Sequence, residues 1–189
     1  FLFPLINESF ENKAALVIGA GGSSRAVLTG LKTLNLKNIT VVNRSSKRLE
    51  LFLETMAKNS HDENQSFRKI QGLNEKDISV IEHLKNADLI INTTPVGMTS
   101  HSKKVDDPFN FPINEEIWNH IKPTAIAYDL IYTPRPTPWL KKCISQGCKA
   151  IDGLEMLIQQ GAASLRLWSG IDDVPVEIMK NAINDYLSN

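Results

Sequence analysis

Hydrophobic positions in this chain fall into short blocks that alternate with amphipathic stretches. The blocks are rich in β-branched residues, which is typical of parallel strands buried on both faces. The amphipathic stretches repeat their apolar positions at the spacing of helices. Strands that alternate with helices through short connections predict an α/β fold with a doubly wound parallel sheet. The predicted strands are Ala14–Ile18, Ile39–Asn43, Phe67–Gln71, Asp88–Asn92, Thr124–Ile131 and Cys148–Ile151.

Helices are predicted between and after these strands. The first carries Leu28, Leu31 and Leu34, and the second, which Ser45 or Ser46 can cap, runs through Leu49 to Met56. Two polar stretches, Asn59–Ser66 and Ser100–Pro112, are predicted to be a surface loop and a mobile loop over the site. The remaining predicted helices are Glu75–Lys85, Pro138–Gln146, Leu154–Trp168 and Asp173–Leu187.

A glycine-rich turn follows the first strand and precedes the first helix. Glycines allow the backbone to turn sharply and to approach a ligand closely, and the positive end of the helix favours a pyrophosphate. This strand–turn–helix context indicates a dinucleotide-binding fold of the Rossmann type. Ser24 occupies the third glycine position of the fingerprint, so the helix must pack on the strand with a hydroxyl between them. The predicted cofactor contacts in the turn are Gly19, Ala20, Gly21, Gly22 and Ser23.

A basic loop follows the second strand, at the position that selects between dinucleotides. An NAD-binding fold places Asp or Glu there to bind the ribose 2′-hydroxyl, whereas Arg suits a 2′-phosphate. No acid occurs between residues 43 and 48. The loop therefore predicts NADP(H), the alternative being a solvated basic helix start. The residues assigned to this contact are Asn43, Arg44, Ser45, Lys47 and Arg48.

Five motifs in order and at matching spacing resemble the shikimate dehydrogenase family over essentially the whole chain. They are Gly-Ala-Gly-Gly-Ser-Ser-Arg-Ala (19–26), Asn-Arg-Ser-Ser-Lys-Arg (43–48), Ile-Asn-Thr-Thr-Pro-Val-Gly-Met (91–98), Tyr-Asp-Leu-Ile-Tyr (128–132) and Asp-Gly-Leu-Glu-Met-Leu-Ile-Gln-Gln (152–160). The resemblance implies reduction of 3-dehydroshikimate to shikimate by hydride transfer from NADPH, in aromatic amino-acid biosynthesis. The family's front half has no counterpart here.

The resemblance also implies roles for individual residues. Thr93, Thr94, Leu130 and Gly153 are expected near the cofactor; without the resemblance, a threonine pair after a strand is more often a plain turn. Two residues are expected at the substrate, Tyr132 and Gln160. Their alternatives are an amphipathic lid over the sheet edge for Tyr132 and a bond to a nearby backbone group for Gln160.

The family's catalytic Lys and Asp come from its front half, and no lysine of this chain aligns with that role. We therefore expect no catalytic residue in this chain and no dehydrogenase activity from it alone. The chain opens on the apolar Phe1–Ile6, which in the family follows the segment that carries the catalytic Asp, so it is interpreted as a fragment. Its expected divisions are a linker remnant (1–12), an NADP-binding domain (13–152) and C-terminal helices (153–189) that return to the substrate domain.

Composition argues against three other classes of protein: those that bind nucleic acid, span a membrane or bind a metal. Lys plus Arg and Asp plus Glu each number 21, so the net charge of zero argues against a nucleic-acid partner that binds bulk charge. No apolar run reaches the roughly 20 residues of a membrane span, and a cytoplasmic enzyme with two reduced cysteines, Cys143 and Cys148, is expected. No pair of histidines has the spacing of metal ligands, so no metal is expected.

Two alternatives to the main function and one consequence for assembly stay open at this point. The chain could come from a quinate/shikimate dehydrogenase of the same family, although one that prefers NAD would need an acid near Asn43. It could also be a non-catalytic nucleotide-binding regulatory module. Because apolar surface would face the missing domain, the fragment is expected to self-associate through Phe1–Ile6 and its tail helices, or to leave one of them disordered.

Overall fold

Six parallel strands form the single sheet of the computed structural model, which describes residues 1–58, 70–98 and 111–188. Their order across the sheet is β3-β2-β1-β4-β5-β6. The chain thus moves outward from β1 in one direction, then returns to β1 and moves outward in the other direction. The predicted doubly wound α/β fold is confirmed. The strands are β1 (Ala14–Ile18), β2 (Asn38–Asn43), β3 (Ile70–Asn74), β4 (Leu89–Asn92), β5 (Ile126–Asp129) and β6 (Lys149–Ile151).

Helices cover both faces of the sheet because alternate residues of its strands point to opposite sides. In β1, Val17 packs into a core with residues of the first two helices, whereas Leu16 and Ile18 pack into a second core on the other face. The second core contains Trp118 and Trp139, both fully buried, with ring centroids 5.4 Å apart. The helices are α1 (Gly22–Leu31), α2 (Ser46–Lys58), α3 (Ser79–Asn86), α4 (Pro138–Ser145), α5 (Leu154–Ser169) and α6 (Val176–Ser188), with short 3-10 turns at Phe3–Leu5, Lys32–Leu34 and Glu115–His120.

Several predicted boundaries were wrong: helix α6, for example, begins at Val176 and not at Asp173, and three others lie beside specific local contacts. The third strand continues past Gln71 to Asn74, and its Gly72 lies where a Cβ would come within 2.6 Å of Leu53 on α2. Helix α3 begins at Ser79, not at Glu75, because Asp77 Oδ1 accepts hydrogen bonds from the backbone N–H and the hydroxyl of Ser79. Strand β5 ends two residues early, at Asp129, because its carboxylate accepts the Ile131 N–H.

Some predicted features fall on residues that the structure does not describe. The loop Asn59–Ser66 lies outside the described residues, as do residues 67–69 of the predicted third strand and residues 100–110 of the loop that ends at Pro112.

Among the helices in the described part of the chain, none has both the length and the apolar composition of a membrane span. The two cysteines are free thiols, and both are buried.

The amino-terminal segment packs partly on the first core. Leu5 and Phe10 are buried there, and the Phe1 ring stacks on Tyr128 with centroids 5.3 Å apart. Phe3 and Ile6 remain exposed. Part of the apolar opening stretch is therefore covered within the chain itself.

Candidate functional site

A cleft of about 700 Å³ opens at the carboxyl ends of β1 and β4. These neighbouring strands are the point where the strand order reverses, and ligands of open α/β sheets bind at such a crevice. The cleft brings together eight of the predicted site residues, from three separate motifs. They are Gly19, Ala20, Gly21, Asn43, Arg44, Arg48, Thr93 and Thr94.

The turn after β1 can be built only with glycine at its first position. Gly19 has φ +108°, and a Cβ there would lie 2.6 Å from Thr93 Oγ1. Its N–H donates to Val42 O at 2.8 Å, which fixes the turn to the end of β2. The turn therefore depends on both neighbours of β1.

Ser24 occupies the third fingerprint position, is fully buried, and uses its hydroxyl to hold the turn. It donates to Gly19 O at 2.8 Å and accepts the Gly21 N–H at 3.1 Å. The same oxygen lies 2.6 Å from Thr93 Oγ1, which also lies 2.6 Å from Ile18 O, so the two hydroxyl protons are shared among the contacts to Gly19 O, to Ile18 O and between the two hydroxyls. The hydroxyl that replaces glycine thus connects α1 to the turn and to the end of β4.

The start of α1 fits an anionic group. Added Cβ atoms at Gly21 and Gly22 would meet nothing within 4 Å, so the surface above them is open. The first N–H groups of a helix have no partner within it, and the first turn of α1 contains no acidic residue. Open space beside free backbone donors at a helix N-terminus is suited to a phosphate.

The basic loop places two guanidinium groups at the cleft. Asn74 Nδ2 donates to Arg44 O and to Ser46 Oγ, and Ser45 caps α2 by accepting the Arg48 N–H at 3.3 Å. Arg44 and Arg48 line the cleft, and neither has an ion-pair partner among the described residues. Their charges are therefore available to an anion. Neither Ser45 nor Lys47 is among the residues that line the cleft.

Gly153 lies directly against the backbone of Leu130. A Cβ at Gly153 would lie 2.0 Å from Leu130 O, and the Gly153 N–H donates to Ile131 O at 3.0 Å. Neither residue lines the cleft between β1 and β4. The close backbone packing gives Gly153 a structural role, and its contact with a cofactor stays a prediction.

The two residues predicted to contact substrate lie beyond that junction. Tyr132 follows Leu130 and is 39% exposed, and Gln160 is exposed on α5. Gln159, its neighbour, donates to Glu155 at 2.9 Å and is engaged within the helix. Gln160 is therefore the glutamine of this pair whose side chain faces solvent.

A buried carboxylate, Asp129, lies at the end of β5. Burial raises its pKa to about 6, although hydrogen bonds from Thr137, Ile131 and Asn92 oppose that shift. Burial raises the pKa of the Cys143 and Cys148 thiols in the neighbouring core, which disfavours the nucleophilic thiolate form. Within the described ranges no group of His, Cys, Asp and Glu could hold a metal ion.

Several residues of the cleft were missed in the sequence. Pro95 and Val96 continue the threonine motif and could have been included on that ground. Phe111 and Pro112 also line the cleft and are the described end of the loop that was predicted to lie over the site. The other missed residues are far from any motif in sequence, and only the tertiary fold brings them to the cleft: Glu75, Ile113, Asn114 and Glu116.

Comparisons with known proteins place these features in a family. Residues 4–113 match the family model described as shikimate / quinate 5-dehydrogenase, and residues 153–183 match that of the shikimate 5′-dehydrogenase C-terminal domain. Curated NADP(+)-dependent shikimate dehydrogenases of Prochlorococcus marinus and Synechocystis sp. are each 39% identical to this chain over 99% of its length. A crystal structure of a shikimate dehydrogenase in complex with NADP+ superposes with a TM-score of 0.74 and 30% identity, covering 95% of this chain and 56% of that one. The chain spans only 61% and 60% of the length of the two curated relatives.

Proposed function

The chain belongs to the shikimate/quinate 5-dehydrogenase family, and on that basis we propose that it is the NADP(H)-binding part of a shikimate dehydrogenase. The observation that carries the proposal is the cleft itself, in which a glycine turn with an open helix N-terminus lies beside two arginines that have no ion-pair partner among the described residues. The relatives are named as NADP(+)-dependent shikimate dehydrogenases, and the reaction implied by the resemblance, reduction of 3-dehydroshikimate to shikimate with NADPH, is proposed for the parent enzyme.

The strand order supplies a layout for the cofactor along the carboxyl edge of the sheet. Neighbouring strands β2, β1, β4 and β5 present, in that order, Arg44, the glycine turn, Thr93–Thr94 and Leu130. The 2′-phosphate fits the arginines, and the pyrophosphate fits the turn and α1. The nicotinamide end is then directed toward the ends of β4 and β5.

The chain's own residues bind and orient the cofactor in this proposal. When bound, the reduced nicotinamide supplies the hydride that the ketone accepts. Arg44 and Arg48 anchor the far end of the dinucleotide, and the turn fixes its centre. Tyr132 and Gln160, beyond Leu130, form one wall for the substrate.

The proton for the ketone oxygen needs a positioned acid. No lysine lines the cleft in the part of the chain that the structure describes. We assign the acid–base pair to the region of the relatives that this chain does not span, and we expect the chain alone to show no turnover of shikimate with NADP+. Turnover approaching about 10 per second, a typical enzyme value, would contradict that assignment.

The same missing region is the proposed partner of the carboxyl-terminal helices. Leu167 and Trp168 on α5, with Ile178 and Tyr186 on α6, are exposed large apolar side chains. We propose that this surface meets the substrate domain in the parent enzyme and drives self-association in its absence.

Calorimetric titration of the chain with NADP+ and with NAD+ tests the proposed function. We expect NADP+ to bind at least about tenfold more tightly, which corresponds to about 1.4 kcal/mol. Equal affinity for the two would overturn the preference for NADP(H), tighter binding of NAD+ would favour the NAD-dependent alternative, and binding of neither would overturn the cofactor assignment.

A further inference from the structure

Asp129 is a fully buried carboxylate without a cation beside it. Its side chain is 0% exposed, and no Lys, Arg or His forms an ion pair with it in the described ranges. Three hydrogen bonds compensate the charge: Asn92 Nδ2 at 3.0 Å, the Ile131 N–H at 3.1 Å and Thr137 Oγ1 at 2.7 Å. Burying a carboxylate costs free energy, and these hydrogen bonds offset that cost without making the acid more stabilising than an apolar residue would be. The stability of the fold therefore does not by itself account for an acid at this position.

One arm of this arrangement reaches the cleft. Asn92, itself fully buried, donates to Asp129 and accepts from the backbone N–H and the hydroxyl of Thr94 at 3.0 and 2.7 Å. Thr94 Oγ1 also accepts the Val96 N–H at 3.3 Å. Thr94 and Val96 both line the cleft. The Asp129 carboxylate therefore orients the Asn92 side-chain amide, which in turn fixes Thr94 in the wall of the cleft.

A second arm reaches the segment after β5. The Ile131 N–H bond turns the chain out of the sheet between Leu130 and Tyr132. Thr137, whose hydroxyl donates to Asp129 Oδ2, also accepts the Leu140 N–H and so caps α4. One carboxylate thus fixes the ends of β4 and β5 relative to each other.

We propose that Asp129 is a positioning residue for the nicotinamide half of the cofactor, acting through Asn92–Thr94 on one side and the Leu130–Tyr132 segment on the other. This inference rests on the proposed binding of NADP(H). The adenosine half lies at the ends of β2 and β1, where the basic loop and the glycine turn make no hydrogen bond to Asp129 or Asn92. Loss of Asp129 should therefore affect the two halves unequally.

The test compares two ligands on the same variants by calorimetry. Adenosine 2′,5′-bisphosphate carries the adenosine half of NADP+ and no nicotinamide. We expect Asp129→Ala to weaken NADP+ by at least about tenfold, the equivalent of one or two lost hydrogen bonds, and to leave the bisphosphate within about twofold. Asp129→Asn keeps an oxygen for Asn92 and Ile131, so it should restore most of the NADP+ affinity.

The outcomes separate this inference from the proposed function. If the unsubstituted chain binds neither ligand, the proposed function fails. If it binds both and Asp129→Ala weakens them equally or not at all, the positioning role is overturned. If Asp129→Ala does not fold by circular dichroism, Asn92→Ala, which removes the link between Asp129 and Thr94 and leaves the bonds of Asp129 to Ile131 and Thr137, should show the same selective loss. Failure of both variants to fold would assign these residues to stability and overturn the proposal.

Discussion

Ser24 Oγ lies 2.6 Å from Thr93 Oγ1, and this contact joins the first turn of α1 to the end of β4. Thr93→Val removes the hydroxyl and leaves the buried Ser24 with one partner fewer. We expect the free energy of unfolding to fall by about 1–3 kcal/mol, measured by urea denaturation, and the affinity for NADP+ to fall because the glycine turn loosens.

Two controls accompany that substitution. Thr93→Ser keeps the hydroxyl and should retain most of the stability. Thr29→Val removes a hydroxyl that bonds Arg25 O on the exposed face of α1, and it should change stability by no more than about 0.5 kcal/mol. Equal losses for Thr93→Val and Thr29→Val would show that the contact with Ser24 contributes nothing.

Arg44 at the cleft is expected to select the phosphorylated dinucleotide. Arg44→Asp replaces a bidentate phosphate donor with a like charge, so NADP+ affinity should fall by at least about tenfold while NAD+ affinity is kept or improved. Lys141→Asp makes the same kind of charge reversal at an exposed position of α4 and should alter neither affinity. A parallel loss for both nucleotides in Arg44→Asp would contradict the assignment of the 2′-phosphate.

The glycine turn and the basic loop could be read from the sequence because each is local. The turn joins the end of one strand to the start of one helix, and Arg44 and Arg48 are only four residues apart, just before α2 and in its first turn. The sequence shows that Ser24 departs from the fingerprint, but it does not show that Ser24 connects α1 to β4. Thr93 lies 69 residues away and contacts Ser24 only in the folded sheet.

Strand and helix ends were harder to predict where side chains replace backbone bonds. Asp129 ends β5 by accepting the Ile131 N–H, and Asp77 delays α3 by accepting from Ser79. Hydrophobic periodicity contains no information about such bonds. The same holds for Glu75 and Asn114 in the cleft, which no motif marks.

Gly153 should not tolerate a side chain. Its Cβ would lie 2.0 Å from Leu130 O, a backbone atom that cannot move aside cheaply, so Gly153→Ala should lower the free energy of unfolding by about 3 kcal/mol or more. Gly161→Ala is the matched control, because on α5 its Cβ would approach only Met179 Cε, at 3.1 Å. Helix propensity then favours alanine by up to about 1 kcal/mol. Thermal unfolding of both variants should give shifts of opposite sign.

The buried Asp129 should make stability depend on pH in an unusual direction. Its pKa is about 6 in the fold against 3.8 as the ordinary value, so the folded chain binds more protons between these two pH values. Its contribution is therefore fully favourable below about pH 4 and is lost as the pH rises through 6, by roughly 3 kcal/mol in all. Asp88 acts oppositely: burial raises its pKa, but bonds from Lys122 and from the Ala14 N–H outweigh that and lower it.

The difference between the unsubstituted chain and Asp129→Asn isolates this contribution. The variant cannot ionise at residue 129, so its stability should rise relative to the unsubstituted chain as the pH goes from 4 to 7. Urea titrations at several pH values measure the difference. Two curves that stay parallel over this range would show that Asp129 ionises in the fold as easily as in water.

The apolar surface of α5 and α6 should make the chain self-associate. Leu167 is 85% exposed and Trp168 is 84% exposed, with Ile178 and Tyr186 on the neighbouring helix. A surface of this kind is rarely left open in a monomer, since covering it gains about 25 cal/mol per Å² before the costs of association. Sedimentation over a range of concentrations should show a reversible increase in mass, and Leu167→Lys should reverse it. Leu51→Lys, at an exposed leucine of α2, should leave association unchanged. If the chain sediments as a monomer at every concentration, the exposed face alone does not drive association, and cofactor binding can then be measured without coupling to assembly.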